Sequence, residues 1–425
     1  MLESLLSVDA ARVLILQDLA AVDAEILPFD QACGRVLARD VISPLALPPF
    51  ANSAMDGFAV IAADLQDATT EHPVPLEVVA ESAAGHVASF ELQSGQAAAI
   101  STGAPLPAGA DAVVPVEQVS VEGGTDGEPP TYRIQVAVTV DPGHHVRLAG
   151  QALAEGELVM PAGHRLRPPD IGMLASIGHT QVEVHRRARV ALFSSGDELV
   201  EPGQVLAAGK IYDSNRYALA AAVQAMGAEA YRLPVAADSR EDVRARLEEA
   251  CAWEPDLILS SAGVSVGEHD HVRPVVQEAG ELSFWRVNIR PGKPIAFGHY
   301  RGIPFLGLPG NPVSMLVTFE LFVRPALAAL MGLHEALYTV VDVRLREAVQ
   351  SDGRESYLRG VVFHVENQLE AVLTGSQDSG ILSSLVRANA LLQIPAGVEQ
   401  LAAGEQVRAY LLAPPVEGTR ESRSG

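Results

Sequence analysis

The sequence predicts a multidomain protein in which an α/β domain is joined to β-rich regions. Apolar strands alternate with helical segments from Arg189 to Glu278, whereas residues 44–142 are short Val- and Ala-rich runs broken by glycine and proline. Short strands return after Glu335. A chain of 425 residues is too long for one ordinary hydrophobic core. We therefore expect two to four domains.

The composition indicates which kinds of binding partner the protein can have. Hydrophobic residues make up 48% and charged residues 20%, as in globular proteins, and the net charge of −23 disfavours nucleic acid and anionic membranes. The N-terminus lacks the basic region of a signal peptide. Cys33 and Cys251 have no metal-binding spacing. We expect a cytoplasmic protein with no nucleic-acid and no membrane partner.

The first elements are a helix and a long β region. Ser7 is placed to cap a helix that runs to about Leu19. In the β region, the Gly- and Pro-rich segment 122–130 is typical of an exposed hairpin tip.

The alternating region predicts a parallel sheet with helices on both faces. Its strands are expected at 190–194, 229–235 and 256–260, and its helices at 214–226, 239–252 and 272–278. In such sheets the ligand binds beyond the carboxyl ends of the strands. After it, strands at 340–345, 356–365, 370–374, 391–394 and 406–412 indicate a small barrel or sandwich, and the tail from Pro414 reads as disordered.

The loops at those carboxyl ends carry the candidate chemistry. The first strand ends in Ser194-Ser-Gly-Asp-Glu-Leu199, and the third continues into the small-residue segment 260–270, which resembles a phosphate-binding loop without a Walker A or GxGxxG pattern. Glu198, Asp238 and Asp270 follow three strands that should be adjacent. Oxygen ligands arranged in this way suit Mg²⁺, although acidic residues are also common in ordinary loops.

Two further segments could bind an anion. The chain has thirty basic residues, of which only Lys210 and Lys293 are lysines, and Lys293 lies in Arg290-Pro-Gly-Lys-Pro294. The rigid turn Gly307-Leu-Pro-Gly-Asn-Pro312 leads into a helix N-terminus, where backbone N–H groups favour anions. Together the loops indicate metal-assisted transfer or hydrolysis of a phosphorylated ligand.

These motifs resemble the MoeA family of molybdopterin molybdenumtransferases, to which the C-terminal part of gephyrin is related. The matching segments occur in the family's order along nearly the whole chain: 48–60, 101–112, 194–199, 211–215, 263–270, 291–294 and 307–312. The resemblance implies an elongated domain (1–46 and 146–186), a β-rich inserted lid (47–145), an α/β molybdopterin-binding, MogA-like domain (187–334), a C-terminal β-barrel (335–415) and a disordered tail (416–425). It also implies a homodimer whose cleft combines the α/β domain of one subunit with the lid of the other.

The activity implied by the resemblance is insertion of molybdate into adenylylated molybdopterin, with Mg²⁺ and release of AMP. A transient contact with a molybdopterin adenylyltransferase would deliver the substrate. The implied catalytic positions are Asp56, Thr102, Glu198, Asp270 and Lys293, with Glu198, Asp238 and Asp270 as metal ligands. The implied substrate-binding positions are Arg147, Ser195, Gly263, Ser265, Gly267, Arg290, Pro309, Gly310, Asn311 and Pro312.

Three positions depart from the family pattern. Gln151 and Ala152 stand where many relatives have two acids, Ala262 replaces a glycine, and Arg290 replaces a lysine. The first departure leaves open a molybdopterin-binding carrier or scaffold with weakened catalysis. A tungstate-preferring transferase is a further alternative, because the two oxyanions are nearly equal in size and charge.

Overall fold

The computed structural model describes residues 5–86, 89–122, 132–264, 271–334 and 337–418. The chain divides into two compact units, each with its own hydrophobic core. The first comprises residues 1–39, 162–171 and 181–425, and the second comprises residues 40–161 and 172–180.

The second unit is built on a six-stranded, mostly antiparallel sheet. Its strand order is Ala112–Pro115, Gly57–Val60, Gln96–Ile100, Val74–Ser82, Tyr132–Val136 and Val119–Glu122. Gly57 is required in this sheet, because a Cβ atom there would lie 2.0 Å from the carbonyl oxygen of Val114. Residues 123–130 of the predicted hairpin tip (122–130) lie outside the described residues, but the strands before and after them do pair antiparallel.

The N-terminal helix of the first unit spans Val8–Gln17, and Ser7 caps it as predicted, with Oγ accepting from the N–H of Ala10 at 3.1 Å. Strand Ala24–Pro28 then pairs with Gln181–His185. Shorter elements are 3₁₀ turns at Phe29–Gln31, Ala62–Leu65 and Val116–Gln118, helices Pro168–Ser176 and Ser383–Arg387, and the strand pairs Val41–Ile42 with Leu158–Met160, Asn52–Ser53 with Val146–Arg147, Leu199–Val200 with Ile211–Tyr212 and Val349–Gln350 with Gln400–Leu401.

The α/β domain contains one six-stranded sheet. In spatial order its strands are Glu229–Arg232, Arg189–Ser194, Leu257–Ser261, Ile303–Leu308, Pro294–Tyr300 and Gly280–Arg286. The first three are parallel, as predicted, and Ile303–Leu308 continues the parallel part as a strand that was not predicted. The last two are antiparallel additions that the alternating pattern did not reveal. The strands followed by Glu198, Asp238 and Asp270 are adjacent, which confirms that part of the prediction.

Helices cover both faces of this sheet, as predicted. Asn215–Ala225 and the segment Pro312–Leu330 pack with the N-terminal helix on one face, and Arg240–Ala252 and Val272–Ala279 pack on the other. The alternation of apolar residues explains this, since Val190 and Leu192 enter one core while Ala191 and Phe193 enter the other.

The segment Pro312–Leu330 is helical throughout, with a π-helical turn at Phe319–Val323 between helices Pro312–Thr318 and Arg324–Leu330. It is long and apolar enough to cross a bilayer, but most of it is buried inside the protein. That burial is typical of a core helix.

The C-terminal strands form a closed five-stranded barrel. The order is Glu355–Val365, Gln368–Leu373, Val340–Leu345, Gln406–Leu411 and Ala390–Ile394, which pairs again with Glu355–Val365. Strand Ile289–Arg290 also pairs with this barrel, opposite Glu355 and Ser356. The predicted disordered tail is wrong at its start, because Val416–Glu417 pairs with Phe363 and His364 through backbone hydrogen bonds. Residues 419–425 lie outside the described residues.

Candidate functional site

The loops after the first and second strands of the α/β sheet are tied together through their backbones. The N–H of Gly196 donates to the carbonyl of Ala236 at 3.1 Å, the N–H of Asp197 donates to Asp238 Oδ2 at 3.2 Å, and the N–H of Asp238 donates to Asp197 Oδ1 at 3.1 Å. Ser195, which precedes Gly196, is buried. Glu198 and Asp238 therefore lie on neighbouring loops, as the sequence predicted.

The loop after the third strand starts with two residues in the left-handed region. Ala262 has φ +73° and Gly263 has φ +77°. A Cβ atom on Gly263 would lie 2.2 Å from Val272 Cγ2, so only glycine fits this position. The predicted site residues Ser265, Gly267 and Asp270 lie outside the described residues.

The Arg290–Pro294 segment joins the sheet to the barrel. Arg290 lies in the strand that pairs with the barrel, and the carbonyl of Lys293 accepts from the N–H of Val287 at 3.1 Å. Gly292 has φ +109°, and a Cβ atom there would lie 2.4 Å from Thr318 Cγ2. The tight turn rests on the helix that follows Pro312, which fixes the backbone of Lys293.

The turn Pro309–Pro312 is held from two sides. The side-chain amide of Asn215 donates to the carbonyl of Gly310 at 2.7 Å and to Ser261 Oγ at 2.8 Å. From the barrel, Ser379 Oγ accepts from the side-chain amide of Asn311 at 2.7 Å. Asn215, which belongs to the Ile211–Asn215 motif, thus links the end of the third strand to this turn.

These segments line one cleft of about 620 Å³ between the α/β domain and the barrel. Gly263, Arg290, Lys293, Pro309, Gly310 and Asn311 all line it, so the structure brings six of the predicted residues together. Its barrel side contributes residues that the sequence did not single out: Arg354, Leu358, Arg359, Gln377, Asp378 and Ser379.

Arg359 has the most unusual environment among these residues. Its side chain is fully buried, and it donates to neutral groups, namely the carbonyl of Asp378 at 3.0 Å and Ser384 Oγ at 3.1 Å. Among the described residues no carboxylate forms an ion pair with it. Burial, followed by the positive charge of Arg290, lowers the pKa of Arg359 to about 10, and the carboxylate of Asp378 opposes this only in part. The sequence feature that could have identified Arg359 as a site residue is a lone arginine inside the apolar strand Glu355–Val365.

The cleft is strongly positive. It is lined by Arg290, Lys293, Arg354 and Arg359, against the single carboxylate of Asp378. Arg354 is engaged with Asp352, and that contact, assisted by Arg290, holds the pKa of Asp352 below its usual value despite burial. In the described part of the chain, neither Arg290 nor Lys293 has an ion-pair partner. In a protein of net charge −23, this concentration of positive charge favours an anionic ligand.

The remaining predicted residues belong to the second compact unit. The N–H of Thr102 donates to Asp56 Oδ1 at 2.6 Å, so these two residues are adjacent, and the contact uses the backbone of Thr102. Arg147 pairs in register with Asn52 and is exposed.

Comparison with known proteins identifies the family to which this chain belongs. A molybdopterin molybdenumtransferase of Nostoc sp. is 41% identical over 392 residues, covering 91% of this chain and 88% of the relative. The chain belongs to the MoeA family. The descriptions that match are "MoeA N-terminal region (domain I and II)" for residues 6–178, "Probable molybdopterin binding domain" for 191–329 and "MoeA C-terminal region (domain IV)" for 342–412.

Other members of the MoeA family agree in sequence and structure. The Mycobacterium tuberculosis protein named molybdopterin molybdenumtransferase 2 is 38% identical, covering 90% of this chain and 94% of the relative. A crystal structure described as a molybdopterin biosynthesis MoeA protein from Pyrococcus horikoshii superposes with a TM-score of 0.81 at 33% identity, covering 97% of this chain and all of that one. The predictions of family, fold class and membership in a family of transferase enzymes are therefore confirmed. The family acts in molybdenum cofactor biosynthesis.

The departures from the MoeA pattern have structural consequences. Ala262 holds a left-handed backbone conformation, and a Cβ atom on Gly310 would lie 3.2 Å from its methyl group. Gln151 Oε1 accepts from the N–H of Leu148 at 3.1 Å. A glutamate could accept the same hydrogen bond, so glutamine retains this local function without the charge.

Proposed function

We propose that this protein inserts molybdate into adenylylated molybdopterin and releases AMP in a reaction that requires Mg²⁺. The observation that carries the proposal is the buried charge of Arg359, which has no ion-pair partner in the described chain, at a cleft that also contains Lys293 and Arg290. A buried cation without a counter-ion is unfavourable, and a bound oxyanion would relieve that cost. The names of the relatives supply the metal, molybdenum, and the pterin, molybdopterin.

Within this cleft, Lys293, Arg290 and Arg359 would neutralise molybdate. In the proposed reaction, two dithiolene sulfurs bond to molybdenum, and the two thiol protons leave with one oxygen as water. Water then cleaves the phosphoanhydride, and AMP is released. The three cations would stabilise the negative charge on the oxyanion while this exchange occurs.

The phosphates would lie against the loops after the first and third strands. Gly263 permits close approach of the backbone there, and Ser195 provides a hydroxyl behind it. In the sequence prediction Ser265 and Gly267 complete this loop.

Mg²⁺ would be held by Glu198 and Asp238, with Asp270 as the third ligand of the sequence prediction. The two described carboxylates lie on neighbouring loops, and neither forms an ion pair with a basic residue in the described chain. No group of three metal-binding side chains occurs among the described residues. The donor set fits Mg²⁺ nevertheless, because this ion commonly uses one or two carboxylates plus substrate phosphates. When bound, it would neutralise phosphate charge.

Asp56, Thr102 and Arg147 would act on the substrate from a partner subunit, in the homodimer that the family resemblance implies. The contact between Thr102 and Asp56 supports a shared role for these two residues. We further propose a cytoplasmic reaction in which a molybdopterin adenylyltransferase supplies the substrate.

The test is incubation of the purified protein with adenylylated molybdopterin, Mg²⁺ and either molybdate or tungstate. We expect AMP release together with metal bound to the pterin dithiolene. If the protein binds the pterin tightly but releases no AMP with either oxyanion, it is a carrier and the proposal is wrong. Faster turnover with tungstate would identify a tungstate-preferring enzyme.

Lys293→Arg tests the role of the cleft in the same assay. The guanidinium keeps the charge but is larger and planar, so we expect turnover to fall at least about tenfold if the tight turn requires a compact ammonium group. Arg344→Lys is the control for a charge-preserving exchange, because Arg344 is exposed and lies outside the cleft. Full activity of Lys293→Arg would contradict this role.

A further inference from the structure

A second cationic feature lies at the edge of the α/β sheet, outside the cleft. The guanidinium carbons of Arg273 and Arg286 stand 3.9 Å and 3.8 Å from the ring centroid of Trp285. Two such groups cannot occupy the same place above one ring face, so they cover opposite faces of the indole. The result is a stack of arginine, tryptophan and arginine.

Within the described chain, both guanidiniums of the stack keep their hydrogen-bonding edges available. Among the described residues, neither Arg273 nor Arg286 forms an ion pair or a side-chain hydrogen bond, and both are only partly buried. Most arginines elsewhere in the first unit are paired with acids, as in Arg186 with Asp256. Stacking restrains a guanidinium while leaving its in-plane N–H donors free, and those donors match a phosphate in a bidentate manner.

The position of the stack connects it to the cleft. Arg286 pairs with Pro294, the residue after Lys293, and the N–H of Arg273 donates to the carbonyl of Gly263 at 3.3 Å. Gly263 and Lys293 both line the cleft. The stack therefore lies at the carboxyl edge of the sheet, next to the loop on which the phosphates of the proposed substrate would lie.

We propose that Arg273 and Arg286, held by Trp285, bind the phosphate of the nucleotide portion of the substrate and of the released AMP. This inference rests on the proposed function and adds to it a division between two anion subsites. Lys293, Arg290 and Arg359 form the oxyanion subsite, and the stack forms the nucleotide-phosphate subsite. Two subsites allow the oxyanion and the nucleotide to be bound at the same time without displacing each other.

The test is equilibrium binding of AMP and, separately, of molybdate to the full-length protein. We expect Arg273→Gln combined with Arg286→Gln to raise the dissociation constant for AMP about tenfold to a hundredfold, because two charge-assisted contacts are lost. Molybdate binding should change less than about twofold, because the oxyanion subsite is intact. Arg359→Met should give the opposite pattern.

Arg189→Gln is the matched control. Arg189 also stacks on a tryptophan, 4.3 Å from the ring centroid of Trp253, but it begins its strand and so lies at the amino edge of the same sheet. The Arg189→Gln variant should bind AMP as tightly as the wild-type protein does. The variants Arg273→Lys and Arg286→Lys keep a positive charge over the indole and are therefore less prone to a folding defect. Their affinity for AMP should lie between those of the wild-type protein and the double glutamine variant.

The outcomes separate the two proposals. If the wild-type protein releases AMP in the assay but the double variant binds AMP as tightly as wild type, the subsite inference is overturned and the proposed function stands. Equal losses of AMP and molybdate affinity in the double variant would also overturn it. If the wild-type protein binds AMP through these arginines yet releases none from the adenylylated substrate, the proposed function fails instead.

Discussion

Replacing Arg359 by methionine tests whether its buried charge exists to bind an anion. Methionine preserves much of the aliphatic stem and removes the guanidinium. The lowering of the pKa from 12.5 to about 10 corresponds to about 3 kcal/mol against the charged form in the folded protein. Arg359→Met removes this cost. It also removes hydrogen bonds to the carbonyl of Asp378 and to Ser384 Oγ, each with a net value of about 1 kcal/mol.

These contributions nearly cancel, so the free energy of unfolding without an anion should change by no more than about 1 kcal/mol. With molybdate at a hundred times its dissociation constant, the wild-type protein should gain about 2.7 kcal/mol. Arg359→Met at the same concentration should gain much less. The assay is urea denaturation with and without molybdate, at ionic strength matched with chloride.

Arg344→Met is the control for this experiment, because Arg344 lies in the same barrel but is exposed and outside the cleft. It should keep the full gain from molybdate. The reasoning is refuted if Arg359→Met loses several kcal/mol of stability without anion, since Arg359 would then be a structural residue. Equal stabilisation of both proteins by molybdate would refute it as well.

Three further predictions follow from individual contacts. Ala262→Gly should raise the free energy of unfolding by about 1 kcal/mol in chemical denaturation, because glycine adopts the φ of +73° without strain, and a decrease would show that the conformation is not strained. Burial raises the pKa of Asp170, but the stronger combined effect of hydrogen bonds from Arg167 and His164 lowers it to about 2. Asp170→Asn should therefore cost about 2 kcal/mol at pH 7, and that difference should shrink as the pH falls through about 2 in acid denaturation; a pH-independent difference would contradict the assignment. Gln151→Glu should leave AMP release within about twofold of wild type, because the side chain already accepts from the N–H of Leu148, whereas a large gain would show that the natural chain is impaired.

Much of the local structure could be predicted from the sequence. Ser7 was predicted to cap the first helix, and its side chain accepts the N–H of Ala10 there. The helix predicted from residue 239 does begin at that point, with Ser239 as its cap. The strands and helices between Arg189 and Ala279 follow apolar patterns of period two and 3.6, which depend only on neighbouring residues. The strand that begins at Glu229 ends at Arg232, three residues earlier than predicted, because only this part of the predicted segment pairs in the sheet.

Other elements could not be found in this way. The strands Gly280–Arg286 and Pro294–Tyr300 were missed because they form an antiparallel extension that breaks the strand–helix alternation. In the cleft, Arg354, Arg359 and Ser379 were missed because they belong to two strands that read as ordinary barrel strands, Glu355–Val365 and Gln368–Leu373, and to the loops beside them. No local sequence pattern predicts the hydrogen bond between Ser379 and Asn311, which lies 68 residues earlier in the chain.

The sequence by itself determined the family, the order of the domains and the loops at the carboxyl ends of the strands, since these depend on short motifs and local periodicity. Only the tertiary structure decided which residues share a cleft. Strand Ile289–Arg290 pairs with Glu355 and Ser356. Because of this non-local pairing, the buried Arg359 lines the same cleft as Lys293. The physical reason is that burial and pairing between distant strands set the cost of a charge, and neither is encoded in the spacing of neighbouring residues.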